Sequence, residues 1–176
     1  MSKAELQKNL ISHCASFIAT LKQLPKEELQ FSRNGKWSPA KQLDHLVRSV
    51  APVKLAFSLP TFLLRLYFGV ANRPSRSYNE LVAKYHAKLK AGGRASGRFV
   101  PPDKLVPIEP RSEKLSNLTQ SLSDKIGSFT EEELDRYILP HPLLGTLTLR
   151  EMVYFTIYHS QHHQKQVVEN SSMNSI

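Results

Sequence analysis

Two histidines, His159 and His163, stand four residues apart in a stretch whose other residues fit a single helix. Leu149, Met152, Val153, Thr156, Ser160, His163 and Val167 recur at steps of three and four and so share one face, with His159 flanking it one turn before His163. A spacing of four sets two side chains on neighbouring turns, about 5–6 Å apart at Cβ, so both ring nitrogens can reach one metal ion. Taken alone, the pair is a weak signal, and two packed or solvated neutral imidazoles are its commoner explanation. His162 lies about 100° round the helix from His163, which keeps it off any ion shared by the pair and predicts an outward-facing side chain. His141, between Pro140 and Pro142, reads as a loop histidine rather than a ligand.

The helix carrying the pair starts at Thr148, where Thr148 and Glu151 match a capping box. Its partners are marked by similar signals. Ser2 and Glu5 cap a first helix whose stripe is Leu6, Leu10, Cys14, Phe17, Ile18, Leu21 and Leu24. After the turn signal Asn34-Gly35, Trp37-Ser38-Pro39 puts a capping hydroxyl before a proline at the first helical position, and Leu43, Leu46, Val47, Val50 and Phe57 form the stripe of a second helix. His45 lies off that stripe, near the small residues Ser49 and Ala56, a position equally open to a ligand and to a surface residue. Pro52 and Pro60 bend or interrupt the chain beyond this helix; short helices are predicted over 61–68 and, capped by Ser77 and Glu80, to about Leu89. Residues 98–110, with prolines at 101, 102, 107 and 110, read as an extended segment draped over the body. A third long helix is expected from about Ser112 to Ser128, and Thr130 with Glu133 caps one more turn. No alternating strand is evident, and the tail from Asn170 to Ile176 is expected to fray.

A chain of 176 residues with one cysteine fits a single domain, residues 1–169, without disulfides. Cys14 reads as a small buried hydrophobe, and the polar start of the chain lacks the pattern of a signal peptide, so a reducing, cytoplasmic setting is expected. The apolar run 55–64 is too short to span a bilayer and contains Pro60; no membrane partner is expected, and a homodimer contact is one use for it. The net charge of +9 is uneven: nine basic residues between Arg65 and Lys104 face only Glu80 and Asp103. That segment could attract an anionic partner, but no nucleic-acid motif accompanies it, and nucleic acid is not the expected ligand.

The tryptophan before a capped helix with a histidine eight residues on, Trp37 and His45, together with His159-x-x-x-His163, resembles the DinB-like (YfiT-like) superfamily of four-helix-bundle metalloproteins. The resemblance spans nearly the whole chain. It implies an all-α fold, a DinB/YfiT-like four-helix bundle with an inserted helical and Pro-rich segment, about 59–110, between the second and third long helices. It implies that His45 joins His159 and His163 as ligands of one divalent metal, with zinc first and nickel or iron(II) as alternatives. Three neutral imidazoles with no fourth protein ligand leave a position open for water or a thiol. The family includes transferases and isomerases that use low-molecular-weight thiols, so the resemblance implies a metal-dependent transferase or hydrolase acting on a small-molecule substrate. No catalytic base is identifiable, and Gln161, Gln164 and Tyr158 are candidates only for hydrogen bonds to the ligands. The competing expectation is a non-enzymatic bundle that binds an anionic partner through the basic segment 65–104.

Overall fold

The computed structural model describes residues 1–32 and 35–172. Asn34 of the Asn34-Gly35 turn signal and residues 173–176 of the tail lie outside the described residues. In chain order the elements are α1 (Lys3–Lys22), α2 (Lys26–Leu29), α3 (Pro39–Ala56), α4 (Thr61–Phe68), α5 (Tyr78–Lys90), a 3-10 turn (Gly97–Phe99), α6 (Ile108–Gly127), α7 (Glu131–Arg136), β1 (Ile138–His141), β2 (Gly145–Thr148) and α8 (Leu149–Ser172).

The helices begin where the capping chemistry places them. Ser2 with Glu5, Ser77 with Glu80 and Thr130 with Glu133 close reciprocal boxes, and Thr148 and Glu151 do the same across 3.0 and 3.2 Å. Ser38 accepts from the Lys41 amide ahead of Pro39, which starts α3 in a fixed register. Pro52 lies inside α3 without ending it, and the chain turns by 110° only after Ala56, into α4.

Four long helices, α1, α3, α6 and α8, form the bundle. Helix α6 packs against both α1 and α3, and α8 packs against the same two, so α1 and α3 stand at opposite corners. Leu6, Leu10, Phe17 and Leu21 of α1 meet Leu43, Leu46 and Val50 of α3, Leu115, Leu122 and Ile126 of α6, and Leu149, Val153, Ile157 and Val167 of α8 in one core. Cys14 is part of it: Thr119 Oγ1 donates to its sulfur at 3.2 Å, and burial pushes the thiol pKa up, away from nucleophilic use.

Three expectations about the elements need correction. Helix α6 starts at Ile108, four residues early, because Pro110 falls in its first turn, where a missing N–H costs no helical hydrogen bond. Residues 138–141 and 145–148 form an antiparallel hairpin, pairing Ile138 with Thr148 and His141 with Gly145. Two strands of four residues, one containing Pro140, are too short to show a period of two. Residues 170–172, expected to fray, continue α8.

The inserted segment is tied to the bundle by charge as well as by packing. Glu151 is fully buried, and its carboxylate accepts from Arg73 at 2.6 and 2.8 Å, from the Arg76 amide at 2.7 Å and from the Thr148 amide at 3.0 Å. Among the described residues no single helix is long and apolar enough to cross a membrane.

Candidate metal centre

Starting α3 at Pro39 puts Gln42 and His45 three residues apart, on the side of the helix that packs against α8. His159 and His163 project from α8 into the same layer. His45 Nε2 lies 3.1 Å from His159 Nε2, and His163 Nε2 lies 3.0 Å from it, so three buried imidazoles turn the same nitrogen toward one point. The structure thus brings together His45, which spacing alone left open, and the two histidines of α8.

The tautomers are set by what the other ring nitrogens touch. His45 Nδ1 is 2.8 Å from the carbonyl oxygen of Phe99, which can only accept, so Nδ1 carries the proton. His163 Nδ1 is 3.0 Å from Gln42 Oε1, and the Gln42 amide is oriented by its own Nε2, which donates to the Trp37 carbonyl at 3.1 Å. That Nδ1 is protonated too. Both rings therefore present Nε2 lone pairs to His159 Nε2, which has at most one proton to offer them. At least one lone pair faces another, an arrangement that a cation relieves. Donors at about 2.0–2.1 Å in a tetrahedral shell stand about 3.3 Å apart, so each of the two separations from His159 is within a few tenths of an ångström of what a zinc-sized ion needs.

Electrostatics favour the same state. Burial lowers the pKa of all three rings, most strongly for His159 and His163, where the neighbouring imidazoles add to it. Neutral rings are the ligand form. The Phe155 ring stacks on His159 at 4.8 Å, Trp37 packs against His45 at 5.0 Å, and both restrict how the rings can turn.

Other expected residues have different roles. His162 is not outward-facing: it is half-buried, edge-on to Tyr85 at 5.5 Å, because α5 of the inserted segment covers that side of α8. Gln161 bonds Tyr78 and His13, Gln164 bonds Ser16 and Thr20, and Tyr158 bonds His86, so none of the three supports a ligand. Asp44 points away from the cluster, as its helical phase requires, and pairs with Arg48 and Arg111. Gln42 and the Phe99 carbonyl hold His163 and His45 instead. Gln42 had one sequence signal, its place one turn before His45, whereas a backbone carbonyl leaves none.

His45 and His159 form part of the wall of a cavity of about 500 Å³ between α3, α5, the residues 94–99 and the hairpin. His141 is also in that wall, on β1 and outside the cluster. The inserted segment therefore roofs the side of the bundle on which the histidines open.

The sequence matches the DinB superfamily over residues 10–167, and the chain belongs to that family. Among solved structures it is similar to YfiT from Bacillus subtilis, described as a probable metal-dependent hydrolase with an unusual four-helix bundle topology. That likeness has a TM-score of 0.63 at 18% identity and covers 97% of this chain and 86% of YfiT, which establishes a common fold. No curated protein sequence matches the chain.

Proposed function

We propose that this member of the DinB superfamily is a divalent-metal-dependent enzyme, a hydrolase or transferase, in which His45, His159 and His163 hold one ion. The observation that carries the reading is the convergence of three buried Nε2 atoms, two of them made lone-pair donors by Phe99 and Gln42. Zinc suits three neutral imidazoles best, with nickel or iron(II) as alternatives. An ion with three protein ligands would supply Lewis acidity at its open position, enough to keep a water or a thiol deprotonated near neutral pH.

The chain's own residues set the conditions for that chemistry. His45 and His159 border the cavity, so a small molecule entering it meets the cluster directly. Phe155, Phe99 and Met152 line the cavity beside the cluster and lower the local dielectric there. Phe99 serves twice, since its carbonyl fixes His45 while its ring lies in the cavity wall.

Reading the basic segment as a docking face for an anionic partner has less support. Arg73 and Arg76 turn inward to Glu151, Lys84 donates to the Leu144 carbonyl, and Arg94 and Arg98 border the cavity. Much of the excess charge is thereby committed to the fold or to the site.

Metal analysis of untagged protein tests the proposal. About one divalent ion per chain is expected, lost on His45→Ala, His159→Ala or His163→Ala and kept on His162→Ala. Wild-type protein that neither contains nor takes up zinc, nickel or iron(II) would refute it.

A further inference from the structure

The cavity has a wall chemistry that holding a metal does not require. Most of its surface is apolar, from residues such as Val50, Val53, Leu89, Leu139 and Phe155, and no Asp or Glu is part of it. Arg94 and Arg98 are, and among the described residues neither forms an ion pair, although Arg48, Arg73, Arg76, Arg111 and Arg150 all do. The Arg98 guanidinium lies 5.2 Å over the Phe99 ring.

These arginines do not sit on a loose tether. The Arg98 carbonyl accepts from Arg48 at 3.2 Å, and the next carbonyl, that of Phe99, holds His45. At the other end of the segment, a Cβ on Gly93 would come within 2.5 Å of Leu143 Cδ1, so the backbone there is pressed onto the hairpin turn after His141. Arg94 and His141 therefore lie on adjoining loops.

His141 adds a donor. Its Nδ1 accepts from the amides of Leu143 and Leu144, both at 3.1 Å, which places the ring proton on Nε2. The ring stands edge-on to Phe155 at 4.2 Å, and among the described residues its Nε2–H has no protein acceptor. Burial, reinforced by Lys84, holds the ring neutral with a pKa of about 4.

We propose that the cavity binds an amphiphilic anion: a small molecule whose apolar body is covered by the walls and whose single acidic oxygen group is held by Arg94, Arg98 and the Nε2–H of His141. This rests on the proposed metal chemistry and names its substrate class. Planar guanidinium groups match such oxygens two at a time, an uncharged N–H adds direction, and a wall without carboxylates offers no repulsion. A neutral apolar molecule would fill the same space but leave these donors without an acceptor.

Two fluorescent probes with one aromatic body test this, 1-anilinonaphthalene-8-sulfonate and the uncharged N-phenyl-1-naphthylamine. Wild-type protein should bind the sulfonate more tightly by roughly tenfold or more, the effect of one charge-assisted hydrogen bond. The Arg94→Ala/Arg98→Ala double variant and His141→Phe should each remove most of that preference and leave the neutral probe unchanged. Val53→Trp, which fills the cavity, should weaken both probes. Equal binding of the two probes by wild type, an unchanged preference in the arginine variant, or indifference to Val53→Trp would each overturn the proposal. Both arginines are exposed, so their replacement leaves the core intact, and Arg94→Lys/Arg98→Lys should restore part of the preference. Metal content measured on the same samples separates the two readings. Metal-loaded protein without discrimination refutes the anion site, whereas metal-free protein that discriminates refutes the metal centre alone.

Discussion

Replacing Gln42 by leucine should weaken metal binding by about 10- to 100-fold, although Gln42 touches no ion. Leucine nearly matches glutamine in volume, so the change isolates two hydrogen bonds, to His163 Nδ1 at 3.0 Å and from Gln42 Nε2 to the Trp37 carbonyl at 3.1 Å. Without metal, His163 can escape the loss by moving its proton to Nε2 and donating to His159, 3.0 Å away. With metal, Nε2 must keep its lone pair, and a buried Nδ1–H is left without an acceptor, at a cost of about 1–3 kcal/mol. The penalty therefore falls mainly on the loaded state, and at about 1.4 kcal/mol per decade it corresponds to the expected loss of affinity. Competition with a chromophoric chelator at constant pH measures it. Gln164→Leu is the control, because the same chemical change there removes bonds only to Ser16 and Thr20. A folded Gln42→Leu protein within about twofold of wild type, or an equal loss in Gln164→Leu, would refute the tautomer argument.

Three further outcomes are expected. Glu151→Gln should lower unfolding stability in urea by about 2–3 kcal/mol, since a buried carboxylate accepting from two arginines becomes a neutral amide; Glu169→Gln, whose partner Lys165 is 3.7 Å away on the surface, should change it little. In metal-stripped protein His141, with its pKa depressed to about 4, contributes stability that is complete above about pH 6.5 and is lost as the pH falls from there towards 4, because the unfolded chain then binds the proton that the folded one refuses. His141→Phe should flatten that part of the stability–pH curve by about 3 kcal/mol, and an unchanged curve would contradict a neutral buried ring. Finally, Leu55 and Phe62 of the apolar run 55–64, on which the homodimer expectation rests, are 65 and 66% exposed at the bend between α3 and α4; light scattering should report twice the 20.0 kDa chain mass, and a monomer at micromolar concentrations would end it.

What could be read in the sequence was whatever depends on neighbours along the chain. The boxes at Ser2, Ser77, Thr130 and Thr148, and Pro39 behind Ser38, act within one turn, so their residue types suffice to mark helix starts. The shared face of His159 and His163 comes from helical period alone. His45 could not be assigned in this way, because a helix buried on two sides carries a second face that a single apolar stripe does not reveal, and family resemblance supplied what periodicity lacked. The contacts made through space were out of reach: the burial of His162 under α5, the arginines that turn to Glu151, and the carbonyl of Phe99, which any residue at that position would provide. Gln42 was overlooked because a glutamine one turn from a histidine usually faces solvent, and only the packing of α3 on α8 turns it inward.

The corner arrangement of the bundle bears on how the chain reaches its fold. Long helices adjacent in sequence are not always adjacent in space, since α1 and α3 each pack mainly against α6 and α8, and the wall that α8 supplies joins residues more than a hundred positions apart. No early helical hairpin between α1 and α3 can nucleate this structure, and large loops must close before their contacts are rewarded, which slows folding relative to an up-and-down bundle of the same length. As the chain emerges in order, the apolar stripes of α1, α3 and α6 stay partly uncovered until the final helix arrives. That helix also brings two of the three clustered histidines, so the cluster forms in the same step that seals the core, and a nascent chain without it has only His45 of the three.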